Sequence, residues 1–371
     1  MTSESRTTGA GTGGGSGGAP PELAEIAAAW GWDLGAGASL EAISGGLINA
    51  TYAVRASGRP VAVLQRLHPV FGGAVNLDLE AVTAHLAARG LVTPRLLRTR
   101  AGEAWIERGG RAWRALTWID GATVHRVPDP AWAEAGGELV GRFHVAVADL
   151  SHAYAFARAG VHDTAAHLAR LRALALAGEP GGPSAAADPP DPEDLALGRE
   201  ILEAARELPP LPEAPSRHCH GDLKLSNLLF DPGPPPRGSC LVDLDTLGRS
   251  TLAFELGDAM RSWCNPRGED AGAVSFDLPI FEAAMRGFRR IAAPVVAPAE
   301  WPSIVIGLET VCIELAARFA VDVFRDEYFG WDAARFPSRR AHNRIRARGQ
   351  LALGLAVRAA RAEALAIVRG A

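Results

Sequence analysis

The period of the apolar residues changes along the chain, and that change limits the fold more than any other feature. From about residue 40 to 120, runs such as "TYAVRA", "VAVLQRL" and "RAWRALTWID" alternate apolar and polar positions between glycine-rich turns, the pattern of half-buried strands. One helical pattern interrupts them, "LDLEAVTAHLAARG", stopping at a glycine before "LVTPRLL". From about residue 131 onward helical spacing dominates, in "WAEAGGELVGRFHVAVADL", "DTAAHLARLRALALAG" and the long stretch 303–329. The expected class is α+β, with a small antiparallel-sheet lobe over residues 21–120 and a large, mostly helical lobe over 121–371.

Two segments stand outside this pattern. Residues 1–20 are almost entirely Gly, Ser, Thr and Ala and cannot bury enough apolar surface to offset the entropy of ordering, so a disordered tail is expected. Residues 178–196 are rich in Pro, Gly and Ala and read as a surface loop without an assigned role.

Charge excludes several function classes. The formal net charge is −4, with no basic block to neutralise a phosphate backbone, so no nucleic-acid partner is expected. The four cysteines, Cys219, Cys240, Cys264 and Cys312, form no CxxC pair, which fits a reducing compartment. No signal core and no apolar run of about 18 residues occurs, so the expectation is a cytoplasmic protein, monomer or homodimer.

Chemistry concentrates in "HCHGDLKLSNLLFD", residues 218–231, which holds the only lysine of the chain. An apolar run follows the loop, then a Pro/Gly turn and a second apolar run ending in acid, "SCLVDLDT". Two short strands flanking the loop would place Asp222, Lys224 and Asn227 on it and Asp243 at the end of the second strand. Phosphoryl transfer uses these residue types, because a charge-dense group with a loose transition state is helped mainly by positioning and electrostatics. Asp222 is assigned the proton of an acceptor hydroxyl, Lys224 the developing charge on the γ-phosphate, and Asn227 and Asp243 a Mg²⁺ ion held through oxygen. His220 is expected to orient the loop by a hydrogen bond. Adjacent residues in an extended segment point to opposite faces, so His218, Cys219 and His220 make a poor zinc site.

"HGDLKLSN", "LVDLDT" and "ELGDAMR" together resemble the aminoglycoside phosphotransferase family, which has a bilobal protein-kinase-like fold. "GGLINATYAV", "VLQRLHPVF", "DLDTLGRS", "FELGDAMRSW" and "ELAARFAVDVFRDEYFGWD" are similar, within it, to the N-acetylhexosamine 1-kinase branch. The resemblance implies an ATP- and Mg²⁺-dependent kinase of a small hydroxyl acceptor, a sugar with its anomeric hydroxyl being the narrower expectation. Choline-like alcohols and aminoglycosides are the alternatives, and a nucleotide-binding pseudokinase is another. No "DFG…APE" segment follows Asp243, which argues against a protein kinase.

The same resemblance implies a set of nucleotide contacts. "SGGLINATY" would cover the phosphates, with Gly45 and Gly46 allowing close backbone approach and Asn49 and Thr51 donating hydrogen bonds. Glu80 falls where the family has its helix C glutamate, and the hinge near Trp118 would read adenine. Kinases of this fold carry a lysine on the third strand; here the position is Gln65, with Arg66 on the opposite face of an ideal strand.

For the acceptor, acidic and basic residues nearly balance between Glu255 and Arg369, which suits a neutral sugar better than a polycation. Glu314, Arg318, Asp322 and Arg325 recur on one helical stripe, and the family resemblance makes Arg318 and Asp322 the expected sugar contacts. The alternative for that stripe is a surface ladder of ion pairs. Arg261 is expected to pair with Asp258 or a neighbouring acid.

Overall fold

The structure, a computed structural model, describes residues 21–43, 49–157, 160–176, 191–271 and 274–370. The tail 1–20, Gly45 and Gly46, and residues 178–190 of the Pro/Gly-rich segment lie outside them. The chain divides into two compact units. The first takes residues 1–124 together with 142–157 and 226–248, and the second takes 125–141, 158–225 and 249–371.

In the first unit, a helix α1 (Pro21–Ala28) precedes three strands, β1 (Ala38–Ala42), β2 (Ala50–Ala56) and β3 (Arg59–Arg66). β2 and β3 are antiparallel and pair Ala56 with Arg59, leaving Ser57 and Gly58 as a two-residue turn. Both have positive φ, 50° and 76°, the backbone of a hairpin turn whose twist matches its strands. After the helix α2 (Val75–Ala88) come β4 (Leu96–Leu97), β5 (Ile106–Arg108) and β6 (Arg111–Thr117), which complete an antiparallel sheet in the order β1-β2-β3-β6-β4, with β5 on β6. Val54, Leu64, Trp113 and Ala115 point from this sheet into one core with Ile26 of α1.

A second, three-stranded sheet of this unit is built from β7 (Ala122–Thr123) and two strands that arrive much later in sequence. Before them the chain forms α3 (Pro130–Ala146), α4 (Thr164–Ala175), α5 (Pro192–Arg206) and the short strand β8 (Arg217–Cys219). Then β9 (Leu228–Phe230) and β10 (Gly238–Leu241) pair antiparallel, with β7 on the outer side of β9. This hairpin is the pair of apolar runs that follows the lysine-bearing loop in sequence.

The second unit is helical apart from β8, which pairs with β11 (Gly248–Ser250). It continues with α6 (Leu252–Trp263), α7 (Leu278–Ala292), α8 (Trp301–Arg325), α9 (Arg339–Ala359) and α10 (Arg361–Arg369). Helix starts are written in local chemistry: the Asp191 side chain caps α5 through the amide of Glu193, and Asp277 caps α7 through that of Ile280. α8 is apolar nearly all round and fully buries Ile304, Val305, Leu308, Ile313 and Phe319, each contributing roughly 1.5–3 kcal/mol by burial. It crosses α6 with glycine against glycine: a Cβ on Gly257 would lie 2.7 Å from the Gly307 carbonyl carbon, and one on Gly307 would overlap the carbonyl oxygen of Ala253. No helix among the described residues is long and apolar enough to cross a membrane.

Candidate active site

The lysine-bearing loop leaves β8 and is strapped to α6 at two points. Glu255, buried in the first turn of α6, accepts from the His220 amide at 2.7 Å and the Gly221 amide at 2.9 Å. Trp263, in the last turn, donates its indole N–H to the Leu223 carbonyl at 2.8 Å. Gly221 has φ 79°, which a residue with a Cβ adopts only with strain. Beyond it the chain alternates: Leu223 and Leu225 are buried, while Asp222 and Lys224 stay half-exposed on the other side. Lys224 Nζ lies 2.7 Å from Asp222 Oδ2.

His218, Cys219 and His220 are all buried. Burial pushes the Cys219 thiol well up, and the nearby Glu255 charge adds to it, so no thiolate is on hand. Among the described residues no cluster of three His, Cys, Asp or Glu side chains could hold a metal.

Asn227 and Asp243 belong to the first unit and lie at the two outer ends of the β9–β10 hairpin. The Asn227 carbonyl accepts from the Val242 amide at 2.9 Å, which sets Asp243 one residue beyond the pairing. Asp243 has φ 64° and ψ 56°, a left-handed conformation that costs of order 1–3 kcal/mol outside glycine and collects at functional sites. An amide and a carboxylate are the hard oxygen donors that Mg²⁺ takes when nucleotide phosphates complete its coordination, so the donor set fits that ion.

Behind Asp243 is a closed polar ring. Arg114 of β6, fully buried, pairs with Asp245 Oδ1 at 2.5 Å, and gives two hydrogen bonds to Gln65 Oε1 at 2.8 and 3.0 Å. Gln65 donates to Thr51 at 3.2 Å, Thr51 to the Asn49 carbonyl at 3.4 Å, and Asn49 to Asp245 Oδ2 at 2.7 Å. The Asn49 carbonyl side of the amide takes the His68 amide at 2.9 Å. Asn49, Thr51 and Gln65 therefore sit together, with their side chains engaged in one another rather than turned outward. Arg66 is exposed, 5.9 Å from the Trp113 ring centre, on the opposite face of β3 from Gln65. Trp118, just past β6, donates to Asp120 at 2.8 Å.

Two expected contact residues have other partners in this structure. Glu80 bonds Arg98 with both oxygens, at 2.9 and 2.6 Å, on the exposed side of α2. The residue of α2 that does meet the buried cation is Asn76, one turn earlier, whose Oδ1 accepts from Arg114 at 3.3 Å; helical spacing alone does not say which of two successive turns faces the sheet. Asp322, expected at the acceptor, is engaged at its own helix end. Its Oδ1 accepts from the Glu327 and Tyr328 amides and its Oδ2 from Phe329 and Asn343, at 2.7–3.0 Å, which fills the four lone-pair positions of a carboxylate. It anchors the turn after α8.

Arg318 has a different setting. Its Nη1 is 4.0 Å from Glu314, and its guanidinium lies 5.6 Å from the Phe329 ring centre. Glu314 is buried and accepts from Thr164 at 2.6 Å and meets His162 Nδ1 at 3.1 Å, so the stripe is no surface ladder. His162 stacks on Phe254 of α6 at 4.6 Å. Asp258, one turn beyond Glu255, pairs with Arg261 at 2.8 Å, and Arg261 also reaches Glu269 at 3.1 Å. Burial alone would raise the Asp258 carboxyl; the Arg261, His162 and Arg318 charges outweigh it and hold the group below the usual carboxylate range. Glu255 thus fixes the loop from the helix that presents Asp258.

The sequence model of the phosphotransferase enzyme family matches residues 39–292. The chain belongs to the phosphotransferase enzyme family. A homoserine kinase of Granulibacter bethesdensis is 25% identical over 292 residues, 78% of this chain and 82% of that one. Among solved structures, a microcompartment-associated aminopropanol kinase aligns with a TM-score of 0.61 at 16% identity, covering 92% of this chain and 98% of the other. An amicoumacin kinase, solved with AMP-PNP and Ca²⁺, aligns with a TM-score of 0.59 at 13% identity over 89% and 92%. The fold of this phosphotransferase is thus the protein-kinase-like fold of small-molecule kinases, and its reaction is ATP-dependent transfer to an alcohol. The pseudokinase alternative is set aside. These matches reach the family and not the N-acetylhexosamine 1-kinase branch.

The buried residues of this phosphotransferase that sequence reasoning passed over are Glu255, Asn76, Arg114 and Asp245. One signal was available for Arg114: in "RAWRALTW" it shares a strand face with Ala112 and Leu116, where an apolar residue belongs.

Proposed function

We propose that this phosphotransferase moves the γ-phosphate of ATP to a hydroxyl of a small neutral sugar, an N-acetylhexosamine being the first candidate and its anomeric hydroxyl the acceptor atom. The observation that carries the reading is the strapped loop, with the Asp222 carboxylate half-exposed and Lys224 Nζ at 2.7 Å from it. In this reading Asp222 takes the proton of the acceptor hydroxyl while Lys224 offsets charge on the transferring group. Asn227 and Asp243 hold Mg²⁺, which when bound neutralises charge on the nucleotide phosphates. The hydrogen bond from Val242 N to Asn227 O at 2.9 Å, which brings the residue before Asp243 to Asn227, supports that shared role.

The sugar assignment is supported by charge balance near α6. Asp258 is paired with Arg261 and Glu314 with His162, so a neutral polyol needs only hydrogen bonds from side chains already oriented, Arg318 among them. A second reading draws on the same residues: an acid and the Arg318 guanidinium would receive the two ends of a hydroxy amino acid, the acceptor class in the name of the Granulibacter relative. Four cysteines, all free and buried, support a reducing, cytoplasmic setting. ADP release with ATP and Mg²⁺ across N-acetylhexosamines, homoserine, choline and aminoglycosides separates the readings; turnover of homoserine with none of the sugars overturns the first.

A further inference from the structure

We propose that Arg114 is a positioning residue, holding the Asp243 turn through Asp245 in the conformation that receives metal-bound nucleotide. The inference rests on the reading of Asp243 as a metal-holding residue. Arg114 stands directly opposite Gln65 in the β3–β6 ladder, and its side chain is 1% exposed, so it does not touch the nucleotide. Its guanidinium is shared among Gln65, Asn76 and Asp245, and a planar fork with five donors can serve three acceptors at once where a lysine cannot in the same geometry.

The target of that fork lies two residues after Asp243. Asp245 is the middle residue of the short 3-10 turn Leu244–Thr246, for which Asp243 is the N-terminal flanking residue. Arg114 grips one oxygen of Asp245 and Asn49 the other, at 2.5 and 2.7 Å. On the other side of Asp243, the Val242 amide is held by Asn227. A left-handed aspartate persists only where its surroundings over-determine it, and here it is pinned from both directions. Stability is a weak reason for such a pair: a buried ion pair replaced by apolar residues of similar volume often leaves stability unchanged. Placement of the neighbouring donor is the role that remains.

The test uses the full chain and compares Mg²⁺·ADP affinity with metal-free ADP affinity by calorimetry, alongside thermal melting. The double variant Arg114→Met/Asp245→Leu removes the pair while keeping the site filled. Because Gln65, Asn76 and Asn49 lose these partners, it is expected to melt below the wild type and, where folded, to keep metal-free ADP affinity and to lose the gain that Mg²⁺ brings by about 10–100-fold, the usual effect of removing a group that orients a metal ligand. Arg114→Lys, which leaves Asp245 facing a cation, is expected to lose a smaller part of that gain and serves as the readout if the double variant does not fold. Asp243→Asn sets the full loss. The proposal is overturned if the double variant, or Arg114→Lys in its place, keeps the full Mg²⁺ gain while Asp243→Asn abolishes it. It is also overturned if metal-free ADP affinity falls as far as the metal-bound value. If Asp243→Asn itself leaves the gain intact, the metal role of Asp243 fails and this inference fails with it.

Discussion

Glu255 holds the His220 amide at 2.7 Å with one carboxylate oxygen and takes the next amide along with the other. A side chain that is 4% exposed thus fixes the backbone immediately before Asp222, and a carboxylate that accepts two backbone N–H groups has no neutral substitute of the same shape.

Glu255→Gln replaces one accepting oxygen by an N–H donor facing an amide donor. A lost hydrogen bond to a charged group is worth about 1.5–3 kcal/mol, and misplacing a catalytic loop by an ångström costs on the order of 10²-fold in rate. The expected result is a lowered melting temperature and a kcat reduced by about that factor with nucleotide affinity retained. A variant with wild-type kcat would show that the strap does not set the position of Asp222.

Asp222→Asn removes the proposed proton acceptor, a group not assigned to the nucleotide. Turnover is expected to fall by at least ~10²-fold, while calorimetric ATP affinity stays near the wild-type value. Retention of more than about a tenth of kcat contradicts the base assignment.

Asp243→Ala acts on the other half of the chemistry. It removes a carboxylate proposed to hold Mg²⁺, so Mg²⁺-dependent nucleotide affinity is expected to drop by about 10-fold or more with little change in metal-free binding. Equal losses with and without Mg²⁺ would assign the residue to nucleotide binding in general.

Arg318 and Asp322 share a helix and separate in effect. Arg318→Ala is expected to raise the acceptor KM and leave the melting temperature nearly unchanged. Asp322→Ala removes a buried carboxylate that accepts three backbone amides of the following turn and the Asn343 side chain, and is expected to cost a few kcal/mol in stability, since a hydrogen bond to a charged group is worth about 1.5–3 kcal/mol, with acceptor KM unchanged at temperatures where the variant is folded. Denaturant unfolding and acceptor titrations together read both quantities; a raised acceptor KM in folded Asp322→Ala would return that residue to the acceptor site.

Asp258 gives a pH prediction. Its carboxyl is held below the ordinary value of 3.8 against the effect of burial, chiefly by Arg261. A depressed carboxylate contributes stability that is fully present above the unfolded-state pKa and is lost as pH falls through the folded one. The difference in melting temperature between the wild type and Asp258→Asn is expected to stay constant from pH 7 down to about pH 4 and to close below it. Closure already at pH 6 would mean that another group carries the effect.

Local spacing made part of this site legible in the sequence. Asp222, Lys224 and Asn227 lie within six residues on one loop, and Asp243 ends the next apolar run, so the hairpin could be drawn from the two runs alone. The α+β class followed in the same way from the change of period. What stayed hidden depends on contacts between residues far apart in the chain. The ring of Asn49, Thr51, Gln65, Arg114 and Asp245 needs β2, β3 and β6 to be paired in register and the turn after β10 brought to them, and no single window contains that information. On α2 the resemblance pointed to Glu80, while the residue that meets the buried Arg114 is Asn76, one turn earlier. At Asp322 helical spacing places the residue on the stripe with Glu314 and Arg318 but does not show the three backbone amides of the following turn and the Asn343 side chain that the fold brings to it.

The crossing of Gly257 over Gly307 leaves no room for even a methyl group between α6 and α8, and close-packed helices without slack transmit displacement instead of absorbing it. The two helices therefore behave as one beam: α6 carries the straps of Glu255 and Trp263 at its ends, and α8 carries Glu314 and Arg318 further along. The spacing between the loop proposed to carry the chemistry and Arg318, proposed to meet the acceptor, is set by backbone contact and not by the identity of that side chain. Replacing Arg318 is accordingly expected, in the proposed reading, to change what is recognised while the alignment of the loop is inherited unchanged, so that acceptor preference can diversify at this position without rebuilding the loop.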